Sequence, residues 1–98
     1  MTEILSDSEA DERLGTGWTR SGAVISREVE LASFPQAIEV VDRVAVLAEA
    51  ADHHPDIDIR WRTLTFRLST HSAGGLTAKD FALAAEIDSV LCDPGYSG

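Results

Sequence analysis

The sequence predicts an α+β domain, in which three α-helices pack on one face of a four-stranded antiparallel β-sheet in the order α-β-β-α-β-β-α. Two observations predict it. Helix-start patterns open three segments, two of which carry long apolar stripes at helical spacing. The two stretches between them alternate apolar and polar residues as strands do. Strand pairs joined by short turns are antiparallel, and helices cover the apolar face of such a sheet.

The first helix is predicted over residues 6–14. Ser6 can cap its amino end, and Glu9, three residues later, can bond back to the cap amide. This reciprocal pattern is a common helix start. The segment is short and acidic, so we expect a minor helix.

A β-hairpin is predicted next. One strand covers residues 18–20, Ser21 and Gly22 form the turn, and the second strand alternates apolar and polar residues from Ile25 to Leu31. The alternation indicates one buried and one exposed face.

The second helix begins at Ser33, with Gln36 three residues later as the back-bonding partner. We expect it to end at about Asp52 or His53, because Pro55 disfavours the α conformation of the residue before it. Its apolar residues recur at helical spacing: Ile38, Val41, Val44, Ala45, Ala48 and Ala51.

A phase change marks the second strand-rich stretch, residues 57–71. Its apolar residues occupy odd positions as far as Trp61 and even positions from Leu64 onward. Pure alternation would keep one parity, so the pattern predicts either a bulge or a tight turn near Arg62 and Thr63.

The third helix starts at Thr77, where Asp80 takes the back-bonding position. The stripe Leu83, Ile87 and Val90 predicts that it continues to near Cys92 and Pro94. We expect Cys92 to be a buried, small apolar group.

Composition bounds the function. The 98 residues predict one domain over 1–98, with 44% hydrophobic and 26% charged residues as in ordinary globular proteins. A net charge of -9 argues against direct nucleic-acid binding, which needs a local excess of Lys and Arg. One cysteine allows no internal disulfide, and no signal peptide or membrane span is evident, so we expect a cytoplasmic protein without a membrane partner.

All three histidines lie between residues 53 and 71, close to carboxylates. Glu49 and His53 are four residues apart, so one helical face could carry both and the carboxylate could orient the imidazole. His71 lies at a strand end before a glycine-containing loop, where working residues often occur. Imidazoles can act as acids or bases near neutral pH.

The spacing of these residues resembles the signature of the pterin-4a-carbinolamine dehydratases. Seven positions match over 32 residues, namely Glu49, His53, His54, Pro55, Trp61, His71 and Asp80. Ser69 and Thr70 before His71 also fit. In the second strand, Val29 and Leu31 replace the family's usual pair of phenylalanines, which are packing positions.

The resemblance implies a hydro-lyase that removes water from 4a-hydroxytetrahydropterin to give quinonoid dihydropterin, in tetrahydropterin recycling, without a metal or cofactor. It implies that His53 and His71 are general acids on either side of the carbinol. His54 would then be the base and a pterin contact. The substrate would be a small pterin.

The resemblance also implies supporting residues. Glu49 and Asp52 would orient the imidazoles or bond the pterin nitrogens. Asp80 would support His71. The helix-start pattern at Thr77 gives Asp80 a capping role as the alternative, and both could hold. The other binding or supporting positions are the ring walls Pro55 and Trp61, together with Ser69 and Thr70.

Two alternatives remain open. Three histidines with carboxylates could bind zinc or iron, although adjacent His53 and His54 lack the usual four-residue spacing of a helical zinc pair. The chain could also be a non-catalytic binding, assembly or transcription-cofactor module on the same fold. The open sheet edge and the resemblance predict a homodimer, with a homotetramer as the alternative.

Overall fold

The computed structural model describes residues 3–93 and has the predicted α+β architecture and element order. The elements are α1 (Asp7–Arg13), β1 (Thr19–Ser21), β2 (Val24–Glu30), α2 (Phe34–Ala51), β3 (Asp56–Arg60), β4 (Thr63–Leu68) and α3 (Ala78–Leu91). The strands form one antiparallel sheet in the order β1-β2-β4-β3. Strands β1 and β3 are therefore the two edges.

The core lies on one face of this sheet. Cross-strand neighbours Ile25 and Leu68 on β2 and β4 are fully or almost fully buried, and Phe66 on β4 lies opposite Ile57 of edge strand β3. Helices α2 and α3 complete the same cluster with Val40, Val44, Leu83 and Ile87. One apolar face therefore holds the helices against the sheet.

The capping patterns locate the three helix starts. Ser6 and Thr77 each form the complete reciprocal box, with Glu9 and Asp80 as partners. At Ser33 only half of the pattern forms, because the hydroxyl accepts from the Gln36 amide while the Gln36 side chain accepts from the amide of the residue before the cap. The second helix start is thus correct, although its back-bond differs.

Two tight turns set the sheet register. The first hairpin turns at residues 22–23, one position later than predicted, because Ser21 still pairs with Val24. In the second hairpin Arg60 pairs with Thr63, so Trp61 and Arg62 form a two-residue turn. An odd-numbered residue of β3 therefore lies opposite an even-numbered residue of β4, as Ile57 lies opposite Phe66, which explains the change of parity in the apolar pattern. Of the two predicted possibilities, a bulge and a tight turn, the structure has the tight turn.

The end of α3 corrects one expectation. Its last helical residue is Leu91, and Cys92 is the C-cap and is exposed, not buried, because a terminal cap lies beyond the packed stripe. Pro94, the other predicted end marker, lies outside the described residues. Within residues 3–93 no helix combines the length and apolar character needed to cross a membrane.

Candidate active site

A single left-handed residue at the end of α2 directs the two adjacent histidines. Asp52 has φ 50° and ψ 43°, and its amide donates to the carbonyls of Ala48 and Glu49. The amide of His53 also donates to Ala48, at 3.1 Å. The helix therefore ends before the histidines, and His53 turns inward with 8% exposure while His54 remains exposed. A chain reversal of this kind is the usual helix C-cap geometry.

Asp52→Gly is a direct test of this cap. Glycine adopts positive φ without the Cβ penalty of other residues, so we expect the free energy of unfolding to rise by about 0.5–1 kcal/mol. Urea denaturation of both proteins measures it. A loss of stability would mean that the Asp52 side chain stabilises the cap by more than its backbone conformation costs.

The centre of the site is a buried hydrogen-bond network around Asp80. One carboxylate oxygen, Oδ1, is 2.6 Å from Nε2 of His53. The other oxygen, Oδ2, accepts from the Thr70 hydroxyl at 2.8 Å and from the Thr77 amide at 2.9 Å. The two threonine hydroxyls are 2.7 Å apart. All four residues are buried, and Asp80 has no exposed surface.

Hydrogen-bond roles in the network follow from the acceptor character of a carboxylate. The Thr70 hydroxyl and the Thr77 amide both donate to Asp80, and an ionised carboxylate can only accept. With Asp80 as the acceptor, Nε2 of His53 carries the ring proton and Thr70 donates to Asp80. The Thr70 oxygen is then free to accept, so the Thr77 hydroxyl donates to it. Each member has one defined role.

The second ring nitrogen of His53, Nδ1, is open. Nδ1 has no hydrogen-bond partner among the described residues. Within the same residues the only buried side-chain nitrogen or oxygen without a partner is Nε of Arg62, so Nδ1 must touch solvent. Asp80 thus holds one side of the ring while the other side can meet a ligand.

Glu49 binds the other histidine of the pair. Its Oε1 is 2.7 Å from Nε2 of His54, and both side chains are exposed. The expected pairing of Glu49 with His53 on one helical face is therefore wrong. The physical reason is the Asp52 cap, since His53 has left the helix and no longer lies one turn after Glu49.

Asp80 likewise has a different partner from the one expected. It holds His53 and caps α3 through Thr77, and its hydrogen bonds go to His53, Thr70 and Thr77 rather than to His71. His71 is exposed and starts the turn that a bridge between Thr70 and Gly75 closes. Because Thr70 bonds Asp80 and adjacent Cα atoms are about 3.8 Å apart, the backbone of His71 lies beside the network.

The remaining predicted residues divide into two groups. Asp52 and Pro55 flank the histidine pair, and Ser69 joins β4 to Thr70, so all three lie near the network along the chain. Trp61 lies at the opposite end of β3, whose five residues span about 16 Å at about 3.3 Å each. Within one chain, the fold does not bring Trp61 to the histidines.

Thr77 is the site residue whose role the sequence reading missed. Its capping function was predicted, but its hydroxyl also orients Thr70. The sequence does contain a signal for this role. Asp80 stands at the back-bonding position where the longer Glu is usual, and its shorter side chain keeps the carboxylate close to Thr77. Such a carboxylate can bind a further residue from elsewhere in the chain.

Two further features bear on possible ligands. Within residues 3–93 no group of three or more His, Cys, Asp or Glu side chains is arranged to hold a metal ion. A groove of about 570 Å³ between α2 and α3 is lined by Val46, Leu47 and Glu86, among others, and by none of the predicted site residues. A second groove, of about 540 Å³, does include the predicted site residue Glu49.

Comparison with known proteins identifies the family of the chain. Residues 3–90 match the family model described as pterin 4 alpha carbinolamine dehydratase. A relative in Roseiflexus castenholzii is 61% identical over 93% of this chain and all of its own length. One in Nocardia farcinica is 63% identical over 89% of this chain and 94% of its own. Both carry the provisional name pterin-4-alpha-carbinolamine dehydratase.

Solved structures show the same fold. The structure titled transcriptional coactivator/pterin dehydratase from Brucella melitensis has a TM-score of 0.87 and 28% identity, over 90% of this chain and 98% of that one. A pterin dehydratase-like RuBisCO assembly factor of the alpha-carboxysome has a TM-score of 0.63 and 20% identity, over 76% of this chain and 87% of that one. With a family model that spans nearly its whole length, the chain belongs to the pterin 4 alpha carbinolamine dehydratase family.

Proposed function

We propose that this protein dehydrates 4a-hydroxytetrahydropterin to quinonoid dihydropterin and water, as a hydro-lyase in tetrahydropterin recycling. The observation that carries the proposal is the buried His53–Asp80 pair, which leaves Nδ1 of His53 open. A buried carboxylate with one imidazole nitrogen held and the other free is a suitable arrangement for proton transfer. Family membership supports the pterin as substrate.

His53 has the better geometry for the acid step. The bond between C4a and oxygen breaks, and the leaving hydroxide must take a proton to depart as water. Protonated His53 can supply that proton from Nδ1, because Asp80 stabilises the positive ring through Nε2. The backbone of His71 lies beside the same network, and we assign His71 as the second acid.

His54 suits the base step. The proton on the ring nitrogen must leave as the new double bond forms. Glu49 accepts from Nε2 of His54, so in the neutral ring Nδ1 is unprotonated and can take that proton. The proton given by an acid and the proton taken by the base balance, and water is the only product besides the dihydropterin.

A direct assay tests the reaction. Chemically prepared 4a-hydroxytetrahydropterin is mixed with the pure protein while absorbance follows dehydration. We expect a rate well above that of buffer, proportional to protein concentration. A rate equal to that of buffer, with a protein that is folded by circular dichroism, would contradict the proposal and favour a non-catalytic binding or assembly role.

The retained histidines support catalysis over that second role. A module that served only for assembly or transcription would need none of the three imidazoles, and this chain keeps all of them. The cytoplasmic location and the homodimer stay predictions. Sedimentation of the purified protein would test the dimer.

A further inference from the structure

The segment before α1 lies against the turn that carries His71. The amide of Leu5 donates to the carbonyl of Leu76 at 2.8 Å. The side chain of Ile4 lies over Gly75, because a methyl group added to this glycine would be only 2.9 Å from Cγ2 of Ile4. Gly75 is buried, and Ile4 contributes to covering it. Ile4 and Leu5 together are called the strap below.

The turn over residues 71–74 is closed at its base by Thr70 and Gly75. The Thr70 amide donates to the Gly75 carbonyl at 3.1 Å, and the Gly75 amide donates back at 3.4 Å. Two further amides, at positions 73 and 74, donate to the Thr70 carbonyl at 3.0 Å. Thr70 is also a member of the buried network. A shift of Gly75 would therefore move the His71 turn relative to that network.

The turn is supported at Gly75 and is open at Gly74. A methyl group added at Gly74 would meet no atom within 4 Å. Gly74 and Gly22 of the first hairpin line one cavity of about 220 Å³, so a cavity separates the turn from that hairpin. Packing against Ile4 is therefore the contact that can hold this side of the turn.

The strap is itself anchored to the rest of the protein. The next residue, Ser6, caps α1. Ala10 of this helix is 1% exposed in the core, and Asp11 accepts from Arg20 of β1 at 2.6 and 3.1 Å. Ile4 therefore leads directly into a helix that is fixed on the sheet, which makes it a firm support.

We propose that the strap holds the His71 turn in place beside the Asp80 network, and that Ile4 is a positioning residue for the second acid of the dehydration. The proposal rests on the proposed function, in which His71 has that role. His71 is exposed, so the position of its backbone decides where the imidazole can reach. An acid must lie within hydrogen-bond reach of the leaving oxygen, and a displacement of about 1 Å can lower a rate by about 10²-fold.

Two substitutions that compensate each other test the contact. In Gly75→Ala the new methyl group would lie 2.9 Å from Cγ2 of Ile4, about 0.6–1.1 Å closer than carbon atoms pack. The strap or the turn must move, and we expect kcat to fall by about tenfold. Gly75 is not among the glycines of positive φ, so alanine adds no backbone strain there.

The compensating change is Ile4→Ala. Alone it leaves the turn loosely held, and we expect kcat to fall by about fivefold. The three atoms nearest the added methyl group are Cγ2, Cγ1 and Cδ1 of Ile4, and alanine lacks all three. In the double variant the methyl group at position 75 takes their space, so kcat should return to within about twofold of wild type. A double variant in which the two losses multiply would overturn the proposal.

Gly15→Ala is the matched control. Its methyl group would lie 3.6 Å from Oδ2 of Asp88 and 3.7 Å from Cδ1 of Trp18, which is ordinary contact. We expect its rate to stay within about twofold of wild type. A loss as large as that of Gly75→Ala would show that the contact with Ile4 is not the cause.

A His71→Ala background shows whether the contact acts through His71. We expect Gly75→Ala to change the rate of this background by less than about twofold, because the imidazole that it misplaces is absent. A general loss of structure would lower the rate equally in both backgrounds. That result would overturn the assignment of Ile4 as a positioning residue for His71.

Backbone nitrogen relaxation tests the strap without any substrate. We expect order parameters of about 0.85 for the amides of residues 71–74 in the wild type, and a fall toward about 0.6 in Ile4→Ala, while the amides of α3 keep their values. A turn that is already mobile in the wild type, or equally ordered in Ile4→Ala, would overturn the strap. A wild-type protein without dehydratase activity would instead refute the proposed function, and the relaxation result would still decide whether Ile4 orders the turn.

Discussion

Asp80→Asn is expected to lower the dehydration rate by about 10²–10⁴-fold, the effect of losing a general acid or its orientation. The amide oxygen of the introduced asparagine would take the place of Oδ2, where the Thr70 hydroxyl and the Thr77 amide donate. Its NH₂ group would then face Nε2 of His53. Two donors would oppose one another whenever the ring is protonated, so the acid form is disfavoured.

The same change reverses the tautomer of neutral His53. Facing an amide donor, Nε2 must accept, so the ring proton moves to Nδ1. Nitrogen chemical shifts of the His53 ring distinguish the two tautomers. A variant with normal tautomer and normal rate would contradict the assignment of Asp80 as the residue that positions His53.

Asp88→Asn is the matched control. Asp88 is also on α3 and also accepts from two donors, Nε1 of Trp18 at 2.8 Å and the guanidinium of Arg27 at 2.6 Å. It lies outside the proposed site. We expect this variant to lose about 1–2 kcal/mol of unfolding free energy and to keep its rate, because charged hydrogen bonds contribute amounts of this order.

The fold could be predicted because its signals are local. Each helix start depends on a cap and a residue within four positions, and Ser6, Ser33 and Thr77 all mark real starts. The shift of apolar residues from odd to even positions near Trp61 indicated an interruption between β3 and β4. Only the pairing of Arg60 with Thr63 shows that the interruption is a turn and not a bulge. Alternation and capping act over a few residues, so a sequence displays them directly.

The partners within the site could not be predicted, because one backbone angle decides them. A helical Asp52 would have left His53 on the face of Glu49, as the four-residue spacing suggested. Its left-handed conformation instead gives Glu49 to His54 and sends His53 inward to Asp80, 27 residues away. No local pattern specifies which of two adjacent histidines a distant carboxylate meets.

Trp61 shows a further limit of reading one chain. The spacing placed it with the histidines as a ring wall, while the fold sets it at the far end of β3. A sequence signature records residues that act together without saying whether they belong to one subunit.

His53→Gln should separate catalysis from stability at the centre of the site. The glutamine side-chain NH₂ can approximate the position of Nε2 and donate to Asp80, so the buried carboxylate keeps a partner. We expect the unfolding free energy to stay within about 1 kcal/mol of wild type while the rate falls by about 10²-fold or more, since glutamine cannot transfer the proton. Urea denaturation and the absorbance assay measure the two quantities.

His53→Ala should differ from His53→Gln in stability alone. Alanine leaves the buried Asp80 carboxylate without one of its donors, which costs about 2–3 kcal/mol.

Adding His71→Ala to His53→Gln tests the assignment of two acids. If His71 is the second acid, the double variant loses more activity than His53→Gln, and the two effects are not additive because they serve one reaction. A double variant with the full wild-type rate would contradict the roles of both histidines, while one equal to His53→Gln would leave His53 as the single acid.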